Sequence, residues 1–194
     1  MSTTRKSVSI VIAGSGGTGA ITAGSTLLAA AARDGHYGLM TKLSGAQVRG
    51  GEAAALIEIG RSGIDGPIEA QPDRFDALIA LDWENIQRFA PEIPLDGDSV
   101  VLSDPKAGPV PAVIAATGAR ILEVAFGALA GSVEGGRINM VGFGVAARLA
   151  GLDETAIEAA IRAQIGGKGE KAVTASLAAA KVGAEALAAL GVSM

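Results

Sequence analysis

The sequence contains no cysteine and a single histidine, His36. Without thiolates the chain forms no disulfide, offers no thiol nucleophile and lacks the usual ligands of an iron–sulfur cluster. One imidazole is too few for a histidine-based metal centre. Aromatic residues make up only 3% of the chain and charged residues 19%. The core must therefore be built from Ala, Val, Ile and Leu. Small side chains and 28 glycines let backbones approach closely, and they leave modest side-chain area to bury, which favours a partner surface. A net charge of −4 excludes the basic footprint of a nucleic-acid binder. Long apolar runs are missing too, despite a mean hydropathy of +0.40. Residues 20–32 are interrupted by Thr22, Ser25 and Thr26, and the stretch after Ile138 carries Arg148, so no membrane span is expected. Arg5 and Lys6 before an apolar run imitate a secretory signal, but the run, 8–13, is too short for a signal core. A cytoplasmic location is the expectation.

What is present is a chain of 194 residues, enough for one sizeable core, and neither a repeat nor a linker divides it. A single domain over 1–194 is expected. Residues 8–13 read as a buried strand, 18–33 as a helix closed by Gly35, 36–42 and 52–59 as further strands, and 77–81 as another buried strand. A short helix is expected over 83–89, strands over 99–102 and 120–124, and a short helix over 112–117. From Asn139 onward the pattern is helical. Asp153 is placed to cap a helix to Ile165 with Ala156, Ile157, Ala160, Ile161 and Ile165 on one stripe. A last helix over 170–190 carries Val173, Leu177, Ala180, Ala184 and Leu187 on one face. Strands alternating with helices imply a layered α/β domain.

Gly14, Ser15, Gly16, Gly17, Thr18 and Gly19 form the strongest local signal. They lie between a predicted strand and a predicted helix, where glycines permit a sharp turn and the N–H groups of the helix start face an anion. The same residues read equally as a tight strand–helix turn without a ligand. The dinucleotide fingerprint also needs an acid at the end of the second strand, and Thr41 and Lys42 stand there instead. That disfavours NAD and leaves a phosphorylated nucleotide, NADP or coenzyme A, open. A second segment, 44–51, sets Ser44, Gln47 and Arg49 beside Gly50 and Gly51, a guanidinium able to meet a carboxylate or phosphate. By itself it reads better as an exposed loop. Asp82 ends a buried strand and reads first as a helix cap. Trp83 reads as packing. His36 reads as a strand residue with no partner acid. Gly166, Gly167, Lys168 and Gly169 read as a helix–helix turn with a solvated lysine rather than an anion nest. No constellation amounts to an active site, so no catalytic and no metal-binding residue is expected.

Taken in order, these segments resemble the gamma domain of the thiamine-diphosphate-dependent 2-oxoacid:acceptor oxidoreductases, the pyruvate, 2-oxoglutarate, ketoisovalerate and indolepyruvate group. The matching pieces are the 14–19 loop with Thr22, Ala23 and Gly24; the 44–51 loop ending in Arg49, Gly50 and Gly51; residues 75–82; Asn139 to Gly144; and Lys168, Gly169 and Glu170 with the Ala-rich helix to Gly183. Many members carry glutamine where this chain has Thr18 and asparagine where it has Ser176. Residues 37–40 and 44–47 look nearest to the 2-oxoglutarate branch. The resemblance implies a three-layer Rossmann-like α/β domain with a mostly parallel sheet and a helical C-terminal part. It implies a non-catalytic subunit of a cytoplasmic hetero-oligomer. Thiamine diphosphate, magnesium and iron–sulfur clusters then lie on partner subunits, and electrons pass to ferredoxin or a similar acceptor. The chain's own share is coenzyme A, held in part through the 14–19 loop, Lys42, Ser44, Gln47 and Arg49. The residue chemistry leaves two other readings, a stand-alone NADP-binding reductase and a nucleotide-binding regulatory module.

Overall fold

The computed structural model describes residues 7–44, 53–60, 72–84 and 86–192. Its centre is β1 (Ser7–Gly14), whose apolar run, broken only by the buried Ser9, is explained by burial on both faces. Val8, Ile10 and Ile12 point to one helical layer, and Val11 and Ala13 to the other. After α1 (Ala20–Arg33) come β2 (Tyr37–Ser44) and β3 (Ala53–Gly60), then β4 (Ala77–Ala80), β5 (Val100–Ser103) and β6 (Arg120–Glu123). The six strands stand in the order β2-β3-β1-β4-β5-β6. β4, β5 and β6 extend the sheet in parallel from β1, while β3 runs antiparallel between β1 and β2. The sheet is thus mixed and mostly parallel, as expected, with one reversed strand that the pattern of residues does not announce.

The two layers are unequal. One face is covered by α1, α4 (Phe126–Gly131), α5 (Ile138–Ala150), α6 (Glu154–Ile165) and α7 (Glu170–Ala189). Among the described residues the other carries only α2 (Ile86–Phe89), α3 (Ala112–Ala115) and short turns, packed through Phe75, Trp83, Phe89 and Ile114. Trp83 is a packing residue, as its sequence position suggests.

The element boundaries bear physical reasons. α1 starts at Ala20, not at Thr18, because Gly17 and Gly19 take positive φ of 109° and 86° and hold the chain in a turn until then. The helix expected over 83–89 shrinks to Ile86–Phe89, and α4 is an unforeseen helix of six residues that contains Gly127 and ends at Gly131. Asp153 caps α6 as expected, its carboxylate accepting the Thr155 N–H at 3.1 Å. The buried stripe of α6 omits only the half-buried Ile157. On α7 the buried face is Val173, Ala175, Ser176, Ala179, Ala180, Gly183 and Leu187. Leu177 and Ala184 stand half-exposed instead, because the tightest contact of α7 is with α5 at the small residues. Gly144 of α5 faces the Ala180 carbonyl, and Gly183 of α7 faces the Val141 carbonyl, with no room for a Cβ at either. α7 is also long and apolar enough, by length and composition, to cross a membrane. Its buried face is committed to α5, which is the behaviour of a packed core helix.

Candidate functional site

The carboxyl ends of parallel strands are where α/β sheets gather their sites, and here they gather the expected segments. Gly14 ends β1. Ser44 ends β2, as a strand residue rather than the start of a loop. The register places Ser44, Ala53 and Gly14 in one row across the sheet. Residues 45–52, including Gln47 and Arg49, lie outside the described residues, but the strands they join bring both of their ends to the edge that carries the glycine loop.

Within that loop, Thr18 Oγ1 donates to the Ser15 carbonyl at 2.7 Å and the Thr18 N–H to the same oxygen at 3.1 Å. A Cβ on Gly14 would come to 2.5 Å from Thr18 Oγ1, and one on Gly19 to 2.6 Å from Asn139 Nδ2. Gly14 is therefore required by close approach, and Gly19 by close approach as well as by its φ of 86°. The Ser15 N–H and hydroxyl are both committed to Asp82, at 3.0 Å and 2.7 Å. Asp82 also accepts the Glu84 N–H at 3.0 Å, so it does cap the following turn. Its larger role is one the sequence does not display: it ties the glycine loop to the end of β4. Ser15 is thereby occupied by the protein's own carboxylate. The N–H groups of Gly16, Gly17 and Gly19 have no acceptor among the described residues and remain open to an anion. Asp104 repeats the device at the end of β5. It is buried and accepts the Gly127 N–H of α4 at 2.7 Å and the Lys106 N–H at 2.9 Å.

On the α5 side of the loop a cleft of about 460 Å³ opens between the first turns of α1, α5 and α7. Gly17, Thr18 and Gly19 form one wall, Asn139 and Met140 another, and Lys168, Lys171 and Ser176 a third. Arg137 stands at its mouth. Sequence reasoning treated Lys168 as a solvated turn residue. The turn is there, over Gly166–Lys168, and the lysine is exposed, but it borders the cleft. Lys42 lies elsewhere. It shares a face of β2 with Met40, which packs on Gly24 of α1, so it sits on the flank of α1 away from the cleft. His36 precedes β2 and does have a partner acid, Asp34, at 3.3 Å. Among the described residues no group of three His, Asp or Glu side chains is arranged to hold a metal ion.

Comparison with known proteins gives these features a setting. The family model described as pyruvate ferredoxin/flavodoxin oxidoreductase matches residues 9–186. The ketoisovalerate oxidoreductase subunit VorA of Methanothermobacter thermautotrophicus is 30% identical over 92% of this chain, which spans about a third (36%) of that relative's length. Among solved structures, the keto/oxoacid ferredoxin oxidoreductase gamma subunit of Geobacter sulfurreducens superposes with a TM-score of 0.72 at 25% identity, covering 95% of this chain and 98% of that one. A 2-oxoglutarate:ferredoxin oxidoreductase from Magnetococcus marinus, with 2-oxoglutarate, coenzyme A and succinyl-CoA bound, shares the fold with a TM-score of 0.79 at 24% identity, over 95% of this chain and 32% of that one. Pyruvate oxidoreductase subunit PORC of Thermotoga maritima shares it too, with a TM-score of 0.71 at 22% identity, over 93% and 97%. The glycine loop, the Asn139 segment and the Lys168 turn all fall inside the matched span, and the chain belongs to the pyruvate ferredoxin/flavodoxin oxidoreductase family, with the fold of its gamma subunits.

Proposed function

We propose that this chain is the gamma-type, non-catalytic subunit of a cytoplasmic, thiamine-diphosphate-dependent 2-oxoacid:ferredoxin oxidoreductase. Its own task is to help bind coenzyme A and to pack against the subunits that carry thiamine diphosphate and the iron–sulfur clusters. The observation that carries the reading is the family match over residues 9–186. Two features of the chain support the division of labour. It has no cysteine to ligate a cluster. At the carboxyl edge of its sheet, two of the aspartates, Asp82 and Asp104, are spent on backbone N–H groups, so they are poorly suited to acid–base work. In this proposal the open N–H groups of Gly16, Gly17 and Gly19 face the diphosphate of coenzyme A, and Lys42 or Arg49, with Ser44 and Gln47 beside them as hydrogen-bonding groups, neutralises a phosphate or orients the thiol-bearing arm.

The test is coenzyme A saturation of the assembled complex. A charge-assisted contact contributes about 1.5–3 kcal/mol, so Arg49→Ala should weaken coenzyme A by roughly 10-fold to 100-fold. Gly17→Val should do likewise by straining the loop. If both variants assemble and saturate as the wild type does, the loop is only a structural turn and the coenzyme A reading fails.

A further inference from the structure

The two edges of the sheet are protected unequally. β6 is four residues long and carries a charge at each end, Arg120 and Glu123, and short charged strands of this kind keep an edge from pairing. β2 is eight residues long, contains no proline, and keeps an unbroken register with β3 from Tyr37 to Ser44. Lys42 is its one charged residue. Tyr37 is 75% exposed and Leu39 37%, so two of its large apolar side chains stand in water.

The direction of its backbone groups follows from the bonds of the neighbouring strands. The Ser9 carbonyl accepts the Asp76 N–H at 2.9 Å and the Ala13 carbonyl accepts the Leu81 N–H at 2.8 Å, so the odd-numbered residues of β1 direct their backbone groups to β4. The alternate residues, Ile10 and Ile12, therefore bond β3, at Ile57 and Ala55. Leu56 and Glu58 of β3 then turn to Thr41 and Leu39 of β2. That leaves Gly38, Met40 and Lys42 with N–H and C=O groups directed off the sheet, and none of these groups has a hydrogen-bond partner among the described residues. A row of free backbone groups beside exposed apolar side chains is a template for another strand.

The residues of β2 specify which strand fits. In an antiparallel pair, outward residues must face outward residues, and a two-fold axis through the centre keeps each side chain on its own face of the joined sheet. Centred on Met40, β2 meets both demands with a second copy of itself. Met40 faces Met40 of the second copy, Leu39 faces Thr41, and the exposed Tyr37 covers Leu43. Lys42 faces Gly38, which has no side chain, so the one charge of the strand is kept away from its own copy. Centred on Thr41 instead, the two lysines become diagonal neighbours and Tyr37 falls beyond the end of the facing strand. We propose that the β2 edge is a homodimer interface, in which two copies of this chain pair antiparallel about Met40 and join their sheets into one. The inference is independent of the coenzyme A reading.

Sedimentation velocity of the full 194-residue chain over a range of concentrations tests it. The wild type should dimerise. Lys42→Pro removes an outward N–H, a change that an edge strand tolerates on its free side, and should weaken the dimer about 10-fold or more. Tyr37→Asp should weaken it comparably through lost apolar burial. Circular dichroism checks that both variants keep the wild-type secondary structure. The register is read from disulfide formation, since the chain has no cysteine of its own. Met40→Cys should cross-link two copies under mild oxidation and Thr41→Cys should not, because diagonal positions lie too far apart for a disulfide. The proposal is overturned if the wild type stays monomeric up to its solubility limit, if the dimer is indifferent to both edge variants, or if Met40→Cys cross-links no better than Thr41→Cys.

Discussion

Asp82 and Asp104 show how one residue type serves two burial regimes at the same sheet edge. Asp82 is half-buried and holds Ser15 and Glu84; Asp104 is 4% exposed and holds Gly127 and Lys106. Removing an acceptor strands its donors, and the cost rises when water cannot replace it. Asp104→Ala should therefore lower stability by about 3 kcal/mol and Asp82→Ala by about 1–2 kcal/mol. Urea unfolding of the two variants decides the order, and equal losses would show that burial is not the controlling variable. Asp82→Ala should also release the glycine loop, seen as faster amide exchange at Gly16 and Gly17. None of this was legible in the sequence beyond a capping role. Ser15 and Asp82 are 67 positions apart, and nothing local signals a bond of that reach. The glycine loop was legible because its requirement is local: Gly17 and Gly19 need positive φ wherever the chain goes afterwards.

At the scale of elements, the order of strands and helices followed from apolar runs and caps, and the reversed direction of β3 did not. A continuously buried strand such as Ala53–Gly60 looks the same in either direction, because, Glu58 apart, both of its faces are apolar. Only its pairing shows the reversal, and pairing is set by the length of the connection from β2. The face of α7 was misassigned at Leu177 and Ala184 for a related reason. Large apolar residues attract attention, whereas the contact that orients this helix is between glycine and carbonyl oxygen. That contact gives an element-scale prediction. Gly183→Ala gains about 1 kcal/mol of helix propensity. It also forces a methyl group into the Val141 carbonyl, and overpacking of this kind costs about 1–3 kcal/mol. The loss should win, with a net fall in melting temperature of a few degrees, about 2–6 °C for a chain of this size. A rise in melting temperature would mean that α5 and α7 separate without cost. An alanine at the exposed Gly167, where no atom crowds a Cβ, is the control.

At the scale of the molecule, the proposed function makes the chain one part of a larger chemistry. The isolated protein should decarboxylate no 2-oxoacid even with thiamine diphosphate and magnesium supplied. Carbon dioxide release by the purified single chain, clean of partner subunits, would contradict that. The unequal layering has a further consequence, which concerns the order of synthesis. All six described strands have been synthesised once Glu123 is added, yet three of the five described helices that cover Ile10, Ile12, Ile57 and Ile79 lie between residues 138 and 189. For the last third of translation the sheet exists with most of one apolar face bare, a condition that invites aggregation. A chain stopped after Gly135 should be insoluble, or should bind a hydrophobic dye strongly while keeping β-structure. The same truncation supplemented with a separate 136–194 fragment should recover solubility, since what that fragment supplies is a cover for the sheet.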